Sequence, residues 1–159
     1  MESERFNQFI QLIEGIHKSV NKIKLSVAPT LGIKSVHILW LYELLSHPGG
    51  LTATTLASKS KIDRSLVSRE VEELRERGYV EVVGGGGEKR KNYNSRICLT
   101  EKGRILAQAI TLYALDAQTE ADSGINEEEL KAFYATLRKL SENLARLSER
   151  PKTLQQETV

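Results

Sequence analysis

The chain has 159 residues, 40% hydrophobic and 28% charged, which suits one packed domain with helical extensions and excludes a membrane protein. No apolar run approaches the roughly 20 residues of a transmembrane helix, and the polar start Met1-Glu2-Ser3-Glu4-Arg5 argues against a signal peptide. One cysteine, Cys98, rules out an internal disulfide framework and suits a reducing cytoplasm, and the net charge of +2 is too small to argue for nucleic acid by its size.

Residues 6–27 read as an amphipathic helix, because Phe6, Phe9, Ile10, Ile13, Ile16, Val20, Ile23 and Val27 recur at three- and four-residue spacing. Ala28-Pro29 is expected to end it. A second helix over 33–46 carries Val36, Leu39, Trp40, Leu44 and Leu45 around much of its circumference and stops at His47-Pro48-Gly49-Gly50. Thr52 caps a short helix to about Lys59. A tight connection leads to Asp63, the expected N-cap of a helix over 64–77 that ends at Gly78. Tyr79 to Val83 and Arg96 to Leu99 are rich in strand formers and bracket a glycine-rich polar turn, which predicts a hairpin. Thr100 caps a helix over 101–120. Asn126, with Glu129 three residues on, starts a last helix to about Glu149, with a near-heptad stripe of Leu130, Phe133, Leu137, Leu140, Leu144 and Leu147. The expected fold is therefore mainly α with a small β-hairpin wing. Residues 1–32 are a dimerisation helix, 33–100 a winged helix-turn-helix, 101–150 further dimerisation helices and 151–159 a tail.

Residues 51–78 hold the helix-turn-helix punctuation: short helix, tight turn, capped second helix, glycine. The second helix carries Arg64, Ser65, Ser68 and Arg69 in its first half. Arg can donate two hydrogen bonds to a guanine edge, and short hydroxyl residues let a helix approach the groove. Glu70, Glu72, Glu73 and Glu76 come later, toward the end expected to leave the groove. Charge along the chain agrees: residues 59–100 carry 10 basic and 7 acidic groups, residues 101–159 carry 8 and 10. The hairpin tip holds Lys89, Arg90 and Lys91, suited to phosphates or the minor groove. With Thr52 at the start of the first helix, these make the candidate DNA-binding set: Thr52, Arg64, Ser65, Ser68, Arg69, Lys89, Arg90 and Lys91.

At these residues the chain resembles a known family. Leu56-Ala57-Ser58, Val67-Ser68-Arg69 through Leu74, Arg77-Gly78-Tyr79-Val80 and Leu99-Thr100-Glu101-Lys102-Gly103 look like the MarR family of bacterial regulators, over nearly the whole chain. The resemblance implies homodimers on palindromic double-stranded operators, and usually repression relieved by a small ligand or by oxidation. Where the family wing commonly carries Asp-x-Arg before Leu-Thr, this chain has Lys91 and Tyr93. The wing contact therefore falls by chemistry to Arg90, then Lys91.

Other residues carry less. Cys98 sits in a wing strand with no cation beside it in sequence and reads as structural. His17, His37 and His47 lack metal-ligand spacing, so neither a metal nor a cofactor is expected. His17, His37, Trp40 and Tyr113 are candidates for a pocket that takes a small aromatic or lipophilic effector. Gly84 to Gly87 lack the Lys-Ser/Thr of a phosphate loop, and no nucleophile motif occurs, so an enzyme is not expected. The competing function is a winged-helix protein-interaction module without sequence-specific DNA binding, against which the charge order of 64–77 speaks.

Overall fold

A computed structural model of the chain describes residues 2–84 and 95–149. Six helices and one hairpin follow in order: α1 Glu2–Thr30, α2 Ser35–Leu45, α3 Ala53–Ser60, α4 Arg64–Glu76, β1 Val80–Val83, β2 Arg96–Leu99, α5 Glu101–Ala121 and α6 Glu127–Ser148. The chain divides into two compact units, Met1–Ala114 and Leu115–Val159. None of the helices among the described residues is long and apolar enough to cross a membrane.

The first unit contains the core. Trp40, Leu41 and Leu44 of α2, Leu56 of α3, Val67, Val71 and Leu74 of α4, Val80 and Ile97 of the hairpin, and Ala107 and Ile110 of α5 are all buried together. Complete burial of a residue such as Val67 or Leu74 contributes about 1.5–3 kcal/mol, so α4 is held chiefly by its inner stripe. β1 and β2 pair antiparallel with Val80 opposite Leu99 and Val83 opposite Arg96. Leu51 adds an isolated bridge to Ile97, with both backbone bonds formed. That bridge ties the segment before α3 to the wing.

Helix ends follow local chemistry with one correction. α1 runs through Pro29 to Thr30, and the stop is made at Gly32, whose φ is +65°. The Gly32 N–H donates to the Pro29 carbonyl and the Ile33 N–H to the Ala28 carbonyl, a left-handed helix cap. A proline in the last turn gives up one bond without preventing this closure. α3 and α4 end the same way, with Lys61 at φ 54° and Gly78 at φ +73° in the left-handed position. Asp63, Thr52 and Asn126 cap α4, α3 and α6 as expected, and Asn126 with Glu129 forms the full capping box.

In the second unit, no residue of α6 is buried. Phe133, Tyr134, Leu140, Leu144 and Leu147 are exposed along it. Phe133 and Tyr134 pack edge to face, and the Gln118 side chain donates to the Tyr134 hydroxyl at 3.2 Å.

Candidate nucleic-acid interface

α4 presents two faces. Val67, Glu70, Val71 and Leu74 point inward, and Arg64, Ser65, Ser68, Arg69 and Glu72 are exposed. The four expected DNA-facing residues of this helix therefore share its outward N-terminal half. Asp63 holds that end in place. Its carboxylate accepts from the Ser65 hydroxyl and from the Ser65 N–H at 2.7 Å, and these bonds keep its pKa below the usual carboxylate value. The Ser68 hydroxyl donates to the Arg64 carbonyl at 3.1 Å. Thr52 is half-buried, and its hydroxyl accepts from the Thr55 N–H at 3.1 Å, so its first task is to cap α3. Lys89, Arg90 and Lys91, expected at the wing tip, lie outside the described residues, as does Tyr93.

The inner face of α4 carries a polar cluster that sequence reasoning missed. Glu70 is buried. Its Oε2 accepts from Lys34 Nζ at 2.9 Å and lies 3.1 Å from Nε2 of the fully buried His37, while Lys34 also pairs with Glu73. The Lys34 ammonium is the main reason the Glu70 carboxyl titrates below its ordinary value, against burial; the His37 bond adds to it. His37 is displaced downward because burial disfavours its charge more than Glu70 favours it. A signal was available: Glu70 lies on the 67, 71, 74 stripe, and an acid there needs a buried partner. His37, Glu70 and Glu73 present ligand atoms within 4.8 Å of one another, close enough for a metal ion, but the Lys34 ammonium already bonds both carboxylates.

The remaining sequence candidates separate. His37 and Trp40 are neighbours in the core, ring centroids 6.0 Å apart. His17 is exposed on α1 and bonds Asn21, and Tyr113 is exposed on α5. The indole N–H of Trp40 is buried with no hydrogen-bond partner among the described residues. Cys98 is half-buried opposite Glu81 in the hairpin.

The Leu-Thr-x-x-Gly segment joins wing to helix. The Thr100 hydroxyl donates toward the Gly78 and Tyr79 carbonyls at 2.7 and 3.2 Å and accepts from the Gly103 N–H at 3.0 Å. Two cations stand over the Tyr79 ring, Lys102 Nζ 4.6 Å and Arg77 Cζ 5.2 Å from its centre. Arg77 also donates to the Gly32 carbonyl, tying the end of α4 to the end of α1.

A capped helix pair whose second member turns a cationic, hydroxyl-bearing face outward, followed by a hairpin and a tied α5, defines a winged helix-turn-helix protein. Residues 31–91, which span most of the winged module, match the model of the MarR family. That family comprises transcription regulators, not enzymes. No curated protein matches the chain in sequence. Similar solved structures include a MarR family transcriptional regulator from Listeria monocytogenes complexed with 26mer DNA, 22% identical, TM-score 0.75, covering 91% of this chain and 97% of that one. A MarR family regulator from Silicibacter pomeroyi is 24% identical with a TM-score of 0.71, covering 90% of each chain. A MarR regulator from Methanosarcina mazei is 22% identical with a TM-score of 0.73, covering 88% of this chain and 99% of the other. At these identities the likeness is one of fold.

Proposed function

We propose that the chain is a cytoplasmic, homodimeric repressor that binds a palindromic operator and is released by a small effector. The observation that carries the reading is the outward N-terminal face of α4, where Arg64, Ser65, Ser68 and Arg69 are exposed together above a fully packed inner stripe. A helix so mounted can enter a major groove with its arginines toward base edges. The DNA in the Listeria structure supports the same use of the fold. Arg90 and Lys91, with Lys89, would add wing contacts to phosphate or minor groove.

The dimer rests on α1 and α6. Ile16, Val20 and Ile23 of α1 and Phe133, Leu144 and Leu147 of α6 are exposed, and helices in proteins draw most of their stability from packing an apolar face. A second copy supplies the missing cover in a two-fold assembly. The effector reading centres on Trp40. A buried donor without an acceptor costs about 1–3 kcal/mol, so an aromatic acid that offers one would favour a conformer opened near His37 and Trp40. Trp40 is the single tryptophan, which makes its fluorescence the direct probe.

The test is a binding titration on duplex DNA from the chain's own upstream region and on its scrambled counterpart, at two salt concentrations. Tighter binding to the native sequence at both salts supports the reading. Equal binding to both duplexes, or none, overturns it.

A further inference from the structure

The two serines on the outward face of α4 both turn their hydroxyl protons back into the protein. The Ser65 hydroxyl bonds Asp63 Oδ1, the same oxygen that takes the Ser65 N–H at 2.7 Å. An ionised carboxylate only accepts, so Ser65 is the donor. The Ser68 hydroxyl bonds the Arg64 carbonyl at 3.1 Å, and a carbonyl also only accepts. A hydroxyl has a single proton and otherwise lone pairs. What the exposed Ser65 and Ser68 hold toward the outside is therefore acceptor capacity. Phosphate oxygens are acceptors as well, so a bond to phosphate would have to withdraw these protons. At Ser65 that gives up a bond to a charged group, about twice as strong as a neutral one, and sets the phosphate beside the Asp63 carboxylate. The base edges in the major groove do offer donors, adenine N6 and cytosine N4, whereas guanine and thymine present acceptors there. Arg64 and Arg69 carry donors alone, so residues 64, 65, 68 and 69 run donor, acceptor, acceptor, donor along the face.

We propose that Ser65 and Ser68 are specificity-determining residues that accept hydrogen bonds from exocyclic base amines, adenine N6 or cytosine N4, and do not bind phosphate. The inference rests on the reading of α4 as the DNA-facing helix and adds the kind of base edge that the helix selects. The guanidinium groups of Arg64 and Arg69 suit acceptor edges, and the serines supply the opposite half of the pattern. A base pair that puts guanine O6 or thymine O4 in place of the amine is rejected, because acceptor then meets acceptor. Ser65 and Ser68 are three residues apart and neighbours on one helix face, so each addresses its own base pair.

The experiment uses the full chain, the duplex from its own upstream region and the scrambled duplex. Wild type, Ser65→Ala and Ser68→Ala are titrated against single base-pair replacements through the native duplex. Both serines are exposed, alanine favours helix, and the Asp63 cap keeps its bond to the backbone N–H of residue 65, so the variants fold. Positions at which a variant loses the wild-type preference are rebuilt with base analogues. One analogue lacks the adenine N6 amine, one lacks the cytosine N4 amine, and a purine with carbon in place of ring N7 lacks that acceptor. The expected result is that losing the amine weakens wild-type binding about three- to tenfold, the size of one net hydrogen bond, and leaves the matching alanine variant unchanged. Loss of ring N7 acts on wild type and variant alike. The analogue that acts tells adenine from cytosine. Alanine variants that weaken native and scrambled binding equally, with a flatter salt dependence, give the phosphate result and overturn the proposal. An N7 effect that vanishes in the alanine variant makes the serine a donor and overturns it too, as do variants that keep every wild-type preference. In these three cases the wild type still prefers the native duplex, and the reading of α4 survives. A wild type that binds native and scrambled duplex equally overturns that reading and the serine assignment together.

Discussion

Gly103 approaches Tyr79 so closely that a Cβ built at residue 103 would stand 1.8 Å from the Tyr79 carbonyl oxygen. The obstacle is backbone, which cannot swing aside as a side-chain tip would. α5 therefore packs against the junction of α4 and β1 only with glycine at its third position, where Thr100 also caps it. Gly103→Ala gains helix propensity but must separate α5 from that junction. A net destabilisation of about 2–3 kcal/mol is expected, read as a lower urea midpoint with unchanged slope. Unaltered stability would mean that the contact relaxes freely.

Lys61 is the one non-glycine among the described residues with positive φ, at 54° in the turn between α3 and α4. The turn is held by the Ile62 N–H on the Ala57 carbonyl at 3.1 Å. A Cβ is strained in this region, and a branched one more so. Lys61→Gly should stabilise by about 0.5–1 kcal/mol, and Lys61→Val should destabilise. Thermal melts of the three proteins check the order, and a reversed order would remove the strain.

Local signals accounted for most of the fold. Asp63, Thr100 and Asn126 cap the helices they precede, and Gly78 ends α4, because a cap is decided within four residues. Contacts between distant segments were hidden. Nothing near Leu51 announces its bridge to Ile97, and His37 meets Glu70 on α4, not His17 on α1. Pro29 looked like a stop, yet the cap at Gly32 decides where α1 ends. The outward residues of α4 were legible from its 3.6-residue period, which sorts Val67, Val71 and Leu74 from Arg64, Ser68 and Arg69. Glu70 obeys the same period, yet its place among the four acidic residues of this helix hides the partner it meets on α2.

Dimerisation is tested through α6. Leu144 and Leu147 are exposed in the single chain, and a charge at either place would enter the proposed interface. Sedimentation at micromolar concentration should give a dimer for the wild type, and Leu144→Glu should shift it to monomer with loss of helical signal. A thermal midpoint independent of protein concentration, together with a monomeric wild-type mass, would end the proposal.

Arg64 and Arg69 lie at different heights on the outward face of α4, five residues apart, so they should not address the same base step. Two recognition helices in a two-fold dimer should enter successive major grooves, with half-sites centred about 10 base pairs apart. Arg64, at the N-terminus, should sit deepest. Arg64→Ala should cost about 1–3 kcal/mol on operator and relax preference at one position, if a guanine edge is its partner. Arg69 adjoins Glu70 at 3.8 Å, so part of its positive charge is already answered within the protein. Arg69→Ala should therefore cost operator binding about 1 kcal/mol, the low end of the same range. Arg90→Ala in the wing should weaken operator and scrambled DNA alike and flatten the salt dependence, because a cation near phosphate acts through counterion release. Titrations on both duplexes at two salts separate these three outcomes. Unchanged affinity and specificity in Arg64→Ala and Arg90→Ala together would place the DNA-facing surface elsewhere on the molecule.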